Sequence, residues 1–134
     1  MQKILTVGTD AQEGLFDITE AVKEVVKRSN IIRGTASIYV QGNTAGILIQ
    51  EHWDNSVSRD IVTLLERLVP KGIWEHDRHN GNGDAHLKAT LIGPEKTIPV
   101  INGLLGLSTW QNIFLCEFDG PREFRNVVVT ITEC

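Results

Sequence analysis

The sequence predicts an α+β fold with a mostly antiparallel, β-sandwich-like core and two main helices. Short segments that alternate apolar and polar residues predominate, as strands of half-buried sheets do. Two longer segments instead repeat apolar residues at helical spacing. Most connections are short and rich in Gly, Asn or Pro, which favours antiparallel neighbours. At 134 residues, with 41% hydrophobic and 22% charged residues, the chain is predicted to be one domain spanning residues 1–134.

The first half of the chain is predicted to contain three strands and two helices. The first helix is predicted to begin at Asp17, which is a good N-cap with Glu20 three residues later, and to close with Lys27, Arg28 and Asn30. Gly42-Asn43 is interpreted as a hairpin-like turn between two strands. In order, the predicted elements are a strand at Lys3–Val7, a helix at Asp17–Asn30, strands at Thr35–Val40 and Thr44–Glu51, and a helix at Ser56–Leu68.

The second half is predicted to be a long loop followed by four strands. The loop Lys71–Gly83 lacks periodicity and is dense in Gly, Asn, Asp and His, and a loop of this length is often functional. Asn102-Gly103 predicts a tight turn. The predicted strands are Asp84–Leu91, Thr97–Ile101, Trp110–Phe118 and Asn126–Thr132.

Composition excludes several classes of function. A net charge of −4 disfavours nucleic-acid binding, which needs a basic face. No stretch is apolar for long enough to span a membrane, and no secretion signal is recognisable. Cys116 and Cys134 are expected to be free thiols of a cytoplasmic protein. Motifs for nucleotide binding, serine hydrolases and zinc proteases are absent.

The segment from His76 to Lys88 is the richest in side chains capable of chemistry, with three of the four histidines. In the strand predicted there, one face would carry Asp84, His86, Lys88 and Thr90. Histidine exchanges protons near neutral pH and is the commonest metal ligand. We therefore expect a functional site, with a solvated charged face as the alternative.

Two further chemistries are open for this segment. His76 and His86, with a carboxylate such as Glu51, would hold a divalent metal, zinc or magnesium, although the spacing matches no structural zinc motif. The glycines that flank Asn82 would instead let backbone N–H groups approach an anion. His79 is expected to be an incidental loop residue.

Two residues at the end of the Trp110–Phe118 strand are further candidates. Glu117 lies in an apolar strand, where a carboxylate is costly unless it is paired. It is either a general acid with a raised pKa or half of an ion pair with Arg122 or Arg125. Arg122 follows a Gly-Pro turn and would bind a phosphate or carboxylate.

Several motifs together resemble the YjbQ-like family, whose members are described as secondary thiamine-phosphate synthases. The resemblance covers nearly the whole chain in one order. The matching residues are Gly42-Asn43-Thr44-Ala45-Gly46, Glu51, Trp74-Glu75-His76-Asp77, Gly81-Asn82-Gly83-Asp84-Ala85-His86-Leu87-Lys88-Ala89, Ile98-Pro99-Val100, Thr109-Trp110-Gln111, Ile113-Phe114 and Glu117-Phe118-Asp119-Gly120-Pro121-Arg122. The chain departs from the pattern at Gly42, where many relatives carry a histidine.

The resemblance implies a homotrimer and a site near a subunit boundary. The implied reaction is a transferase reaction that joins a pyrimidine-methyl diphosphate to a thiazole phosphate and releases pyrophosphate, as a weak or side activity. The expected roles are catalysis by His76, His86 and Glu117; binding of a phosphorylated ligand by Thr44, Asn82, Lys88, Gln111 and Arg122; and metal ligation by His76, His86 and Glu51. Metal-dependent hydrolysis at His76 and His86, and metabolite or anion binding without catalysis, are the alternatives.

Overall fold

A computed structural model describes all residues, 1–134, and shows an α+β fold with eight strands and three α-helices. The strands are β1 (Gln2–Thr9), β2 (Gly14–Asp17), β3 (Gly34–Val40), β4 (Ala45–Gln50), β5 (Glu95–Ile101), β6 (Leu104–Leu105), β7 (Asn112–Glu117) and β8 (Arg122–Glu133). The helices are α1 (Thr19–Ser29), α2 (Asn55–Leu68) and α3 (Gly83–Ile92), with a short 3-10 helix at Glu75–Arg78.

The strands form two sheets in which every pairing is antiparallel. The larger sheet has the order β1-β8-β3-β5-β6, and the smaller has the order β2-β7-β4. Their facing side chains and α1 share one core of valine, isoleucine, alanine and one leucine, Leu115. The predicted sandwich-like arrangement is therefore confirmed.

The smaller sheet is buried on both faces. Ile47, Ile113 and Leu115 point into the core shared with the larger sheet, whereas Leu48 and Phe114 point into a second core under α2 and α3. A strand covered on both sides needs a continuous apolar run, as the β7 sequence has. Polar side chains can therefore lie only at the two ends of the smaller sheet.

Three predictions of local structure are wrong. Asp84–Leu91 is helical rather than extended, so the chain has three α-helices and the proposed strand face of Asp84, His86, Lys88 and Thr90 does not exist. Gly42-Asn43 is not a hairpin turn, because β3 pairs with β5 and β8 while β4 pairs with β7. The short strand β2 lies between the predicted first strand and first helix, where no strand was predicted.

Other predictions of local structure are confirmed. The helices α1 and α2 lie within two residues of their predicted bounds, although the N-cap of α1 is Ile18 and not the predicted Asp17, which ends β2. Asn102 and Gly103 have φ angles of 52° and 76° between β5 and β6, as a two-residue hairpin turn with a left-handed backbone requires. Cys116 and Cys134 are free, and burial raises the pKa of the Cys116 thiol to about 12, which removes it as a thiolate nucleophile.

Candidate functional site

Glu117, at the end of β7, is the centre of a buried ion-pair network. Its carboxylate accepts hydrogen bonds from Arg125 Nε at 3.0 Å, from Arg125 Nη2, from Thr9 Oγ1 at 2.7 Å and from the Asp119 N–H at 3.1 Å. Arg125 Nη2 also donates to Thr44 Oγ1 at 2.9 Å. Both charged side chains are almost completely excluded from solvent.

This environment keeps Glu117 ionised. Burial alone would raise its pKa, but the hydrogen bonds from Arg125 and Thr9 outweigh burial, so the pKa of Glu117 lies below its usual range. Glu117 is therefore not a general acid with a raised pKa. The alternative expectation, an ion pair with Arg125, is the one that the structure shows. The carboxylate is a fixed negative charge that holds β7 to β8.

Arg125 was only a candidate partner in the sequence, although a signal for it exists. It occupies the same face of β8 as Val127, Val129 and Ile131, which are buried at alternate positions. An arginine at that spacing points into the core and needs a carboxylate. Gly42 provides space beside it, because a β-carbon at position 42 would lie 2.9 Å from Arg125 Nη1.

Asp119 connects this network to the surface. Its Oδ2 accepts from Asn82 Nδ2 at 2.9 Å and from Arg122 Nη2 at 3.1 Å, and its carbonyl accepts from Arg122 Nε at 2.9 Å. The Arg122 side chain is about half exposed, so its guanidinium is held in place but reaches solvent. Asn82 Oδ1 is buried and has no hydrogen-bond partner, which leaves an acceptor available for a donor group.

Asp77 fixes the 3-10 helix against the start of α3. Its carboxylate accepts from the Gly83 N–H at 2.8 Å and from the Trp74 N–H at 3.1 Å. These backbone hydrogen bonds lower the pKa of Asp77. A β-carbon at position 83 would come within 2.7 Å of Trp74 Cβ, so only glycine fits there. The anion that the glycine-rich segment receives is thus this protein's own carboxylate.

The same junction brings two imidazole rings together. His76, on the 3-10 helix, and His86, on α3, have ring centroids 4.7 Å apart in an edge-to-face arrangement. His86 follows Asn82 by one helical turn, and its N–H donates to the Asn82 carbonyl at 3.4 Å. His76 is exposed and His86 is half-buried, so both are open to a ligand. His79 lies 6.0 Å from His76.

Lys88 faces away from this junction. It is completely buried, and its ammonium donates to Glu13 Oε1 at 2.6 Å and to Asp84 Oδ2 at 3.0 Å. Burial disfavours its charged form, but the two carboxylates outweigh burial and raise its pKa. The predicted ligand-binding ammonium is therefore part of a buried ion triad that holds α3 to the segment before β2.

The structure assembles six of the predicted site residues and separates the rest. Asn82 and Arg122 both donate to Asp119, whose N–H donates to Glu117, and Arg125 joins Glu117 to Thr44. Asn82 also lies one helical turn before His86, whose ring meets that of His76. We name His76, Asn82, His86, Asp119 and Arg122 the imidazole–arginine site. Glu51 and Gln111 lie beyond the opposite end of the smaller sheet, where Gln50 pairs with Asn112. Gln111 instead accepts from the Ser108 N–H at 2.9 Å.

No metal-ligating set of three or more His, Cys, Asp or Glu side chains exists in the chain. The two imidazoles at His76 and His86 are donors of the kind that zinc accepts, but Glu51 does not join them. A metal held there needs a third ligand from outside this cluster.

No helix is both long enough and apolar enough to cross a membrane.

Fold and site define a small α+β protein in which two antiparallel sheets carry a carboxylate–arginine network below a surface imidazole pair. The sequence profile described as UPF0047 protein YjbQ-like matches residues 3–134. The chain therefore belongs to the YjbQ-like UPF0047 family.

Similar proteins span nearly the whole chain. The UPF0047 protein YugU of Bacillus subtilis is 41% identical over 125 residues, covering 91% of this chain and 92% of that protein. A UPF0047 protein of Methanocaldococcus jannaschii is 44% identical over 116 residues, covering 87% of this chain and 83% of that protein. A YbjQ-like protein of unknown function from Sulfolobus solfataricus has a similar crystal structure, with a TM-score of 0.97, 38% identity and coverage of 100% and 97%.

Proposed function

We propose that this protein is an enzyme acting on a phosphorylated small molecule at the imidazole–arginine site. The observation that carries the proposal is the pair of accessible imidazoles 4.7 Å apart, which Asn82 and Asp119 link to the half-exposed guanidinium of Arg122. Imidazole transfers protons near neutral pH, and guanidinium binds phosphate oxygens. The two groups are what cleavage of a phosphate-bearing bond requires.

Arg122 is the anion contact in this proposal. Asp119 binds its Nε and one terminal nitrogen, which fixes the plane of the guanidinium and leaves the other terminal nitrogen, Nη1, to donate to a phosphate oxygen. A positioned arginine loses less side-chain entropy on binding than a free one. The unpaired Oδ1 of Asn82 would accept a hydrogen bond from an N–H or O–H of the same ligand.

His86 is the proton-transfer group, and His76 supports it. The edge of one ring meets the face of the other. His76 is exposed and His86 is half-buried, so solvent reaches the site in which His86 would transfer a proton. General acid catalysis by a positioned histidine contributes about 10²–10⁴ in rate. Glu117, whose pKa is low, stays ionised beneath the site and takes no part in proton transfer.

The named candidate reaction is the thiamine-phosphate synthase type. The ring nitrogen of a thiazole phosphate would form a bond to the methylene carbon of the pyrimidine-methyl diphosphate. The carbon–oxygen bond would break, and its electron pair would leave with pyrophosphate, which Arg122 stabilises and His86 protonates. Because Lys88 is engaged in its ion triad, Arg122 is the one positioned side-chain cation of the site, and we expect slow turnover.

Replacement of His86 tests the catalytic proposal. We expect His86→Asn to lower the rate of pyrophosphate release from these two substrates by about 100-fold or more. His79→Asn is the matched control, because His79 is exposed on the same segment and contacts neither Arg122 nor Asp119. Equal rates in the wild type and His86→Asn would exclude His86 as the proton-transfer group.

Metal-dependent hydrolysis is the second candidate, favoured by the imidazole pair. A metal at His76 and His86 would activate a water molecule once a third ligand completed its coordination. Elemental analysis of protein purified without an affinity tag should then find metal near one per chain in the wild type and His79→Asn, but not in His86→Ala. The absence of metal from all three would exclude this candidate and leave proton transfer without metal.

A binding protein without catalysis remains the third candidate. It would be stabilised thermally by a phosphorylated metabolite with no product formed. Detection of product from the bound ligand excludes it.

Self-association as a homotrimer is also proposed. By strand register, Ile4, Tyr39 and Val128 share the outer face of the larger sheet, and the first two are about half exposed. Burial of this face between copies would remove apolar surface from water. Light scattering should give three times the 14.9 kDa chain mass for the wild type and a lower mass for Val128→Lys. A monomeric wild type would contradict the trimer.

A further inference from the structure

At the end of the smaller sheet farthest from Glu117, an aspartate orients a histidine whose second nitrogen faces outward. Asp17 Oδ2 lies 2.5 Å from His52 Nδ1, and Asp17 Oδ1 accepts from the Thr19 N–H at 2.8 Å and from Thr19 Oγ1 at 2.5 Å. Thr19 Oγ1 in turn accepts from the Ile113 N–H at 2.8 Å. The carboxylate is thus tied to the backbone of two elements.

These contacts fix which nitrogen of His52 carries the proton. With Nδ1–H directed at the carboxylate, Nε2 of the neutral ring is an unprotonated acceptor. Nε2 has no hydrogen-bond partner, and the side chain is 47% exposed. The edge contact with Phe114, at a centroid distance of 5.4 Å, fixes the ring plane as well. An oriented and accessible acceptor of this kind is suited to an N–H or O–H group of a ligand.

Two exposed tryptophans lie at the same end of the sheet. Trp53 is 80% exposed, Trp110 is 55% exposed, and their rings meet edge to face at 5.7 Å. Trp53 follows His52 in the chain, and Trp110 lies two residues before Asn112, which pairs with Gln50. An edge-to-face pair leaves indole faces open for a planar ring, and aromatic surface this exposed is characteristic of binding sites.

The surrounding charges select the ligand further. Glu51 and Asp54 flank the histidine and tryptophan in the chain, and neither residues 50–55 nor residues 108–112 contain a lysine or arginine. Arg59 offsets part of the charge of Asp54 and leaves Glu51 without a nearby cation in these segments. An anionic ligand would be repelled, whereas a neutral or cationic ring is accommodated, and a cation also gains from the indole face. The end of the sheet that carries His52 therefore favours ligands without negative charge, unlike the imidazole–arginine site, which is proposed to bind a phosphorylated ligand.

We infer that His52, Trp53, Trp110 and Asp17 form a second ligand site, for a planar nitrogen heterocycle that carries an N–H donor and no negative charge. The ring stacks on an indole face, and its N–H donates to His52 Nε2. This inference is independent of the proposed function, because none of the four residues belongs to the imidazole–arginine site.

Titration with cytosine, observed through the tryptophan indole N–H resonances, tests the site directly. Cytosine is planar and uncharged and carries amino and ring N–H donors. The chain has three tryptophans, so Trp74, whose indole N–H donates to the Pro70 carbonyl at 2.7 Å, is the internal control. We expect saturable shifts at Trp53 and Trp110 with one Kd and none at Trp74. Shifts that do not saturate, or that are equal at all three, would overturn the site.

Variants and a second probe separate the two parts of the inference. Trp53→Ala, at an exposed position, should weaken cytosine binding about tenfold, within the range of one lost stacking contact. Asp17→Asn would present an amide N–H to Nδ1 and so place the proton on Nε2, which the imidazole nitrogen shifts report directly. Cytosine binding should then be weakened while the fold persists, because the N–H donors of cytosine lose their acceptor and only its O2 or N3 can pair with Nε2–H. The second probe is benzoate, a planar ring that carries a negative charge and no N–H donor. Unchanged cytosine binding in Asp17→Asn, or binding of benzoate as tight as that of cytosine, would overturn the proposed ligand class.

Discussion

The two ends of the smaller sheet each hold a pair of an acidic and a basic side chain, and the two pairs differ in their exposure to solvent. At one end, Glu117 and Arg125 are buried and the carboxylate accepts four hydrogen bonds. At the other end, the Asp17 carboxylate has three hydrogen-bond contacts, one of them with His52, and the two side chains are 22% and 47% exposed. Hydrogen bonds hold Glu117 in its charged form inside the protein, whereas the Asp17–His52 pair is open to solvent. A buried carboxylate at the end of a strand, such as Glu117, therefore has a structural role, whereas a partly exposed one, such as Asp17, is available for a role in ligand binding.

Replacement of Glu117 should have the largest effect on stability. Glu117→Gln leaves the Arg125 guanidinium buried without its counter-charge, which costs about 3–5 kcal/mol in the free energy of unfolding. Urea denaturation measures the difference. Glu123→Gln, at an exposed position on the neighbouring strand, is the control and should change little. A loss below about 1 kcal/mol for Glu117→Gln would show that this end is not fixed by its ion pair.

Lys88 should be nearly as sensitive, because it belongs to the same buried end. Glu13 precedes the residue that pairs with Glu117, and Lys88 neutralises both Glu13 and Asp84. We expect Lys88→Met to destabilise the protein by about 3 kcal/mol, since Asp84 loses its partner and Glu13 retains only Lys71, whose Nζ is 3.8 Å away. Lys27→Met, on the exposed face of α1, provides the comparison by the same denaturation measurement. Equal stabilities of the two variants would be inconsistent with a buried triad.

The pH dependence of stability should follow the buried end. The pKa of Glu117 is lower in the folded protein than its ordinary value of 4.5, so its contribution is present above that pH and is lost as pH falls towards the folded pKa. Lys88 has a raised pKa, and its contribution is lost only as pH rises above 10.5. Unfolding free energies measured from pH 7 to pH 3 should fall steeply in the wild type and less steeply in Glu117→Gln. An unchanged slope in the variant would contradict this assignment.

The exposed end should tolerate replacement. His52→Ala removes a half-exposed hydrogen bond to Asp17, and we expect a change of less than about 1 kcal/mol in the free energy of unfolding. Thermal unfolding of His52→Ala and of Glu117→Gln, measured under the same conditions, compares the two losses of stability. A loss from His52→Ala as large as that from Glu117→Gln would eliminate the difference between the two ends.

Much of the fold was predictable because most elements bury one face. The stripes of α1 and α2 and the alternation in β3, β5 and β8 give the elements that form the main core. The buried network was partly predictable as well, since a carboxylate inside an apolar strand must be paired. Its partner could have been found from the inward position of Arg125 on β8.

The helix α3 could not be found by apolar periodicity, because a lysine and an aspartate occupy its buried face. Residues 84, 85, 88 and 89 are buried, whereas Leu87 and Leu91 face solvent, so the apolar residues alternate as they would in a strand. Only the local preference of alanine, leucine and lysine for helices favoured the observed structure. That error also hid the roles of Lys88 and Asp77, whose partners are distant in sequence or lie across the new helix start.

The most direct test of the proposed function is a calorimetric titration with pyrophosphate, because it needs neither the substrate nor the reaction to be known. Wild type, Arg122→Gln and His79→Asn should be compared at one ionic strength, since phosphate binding is screened by salt. Saturable binding in the wild type and His79→Asn, weakened about tenfold or more in Arg122→Gln, is the expected result for a lost charge-assisted contact. Equal affinity in all three proteins, or no binding to the wild type, would contradict a phosphate-binding imidazole–arginine site.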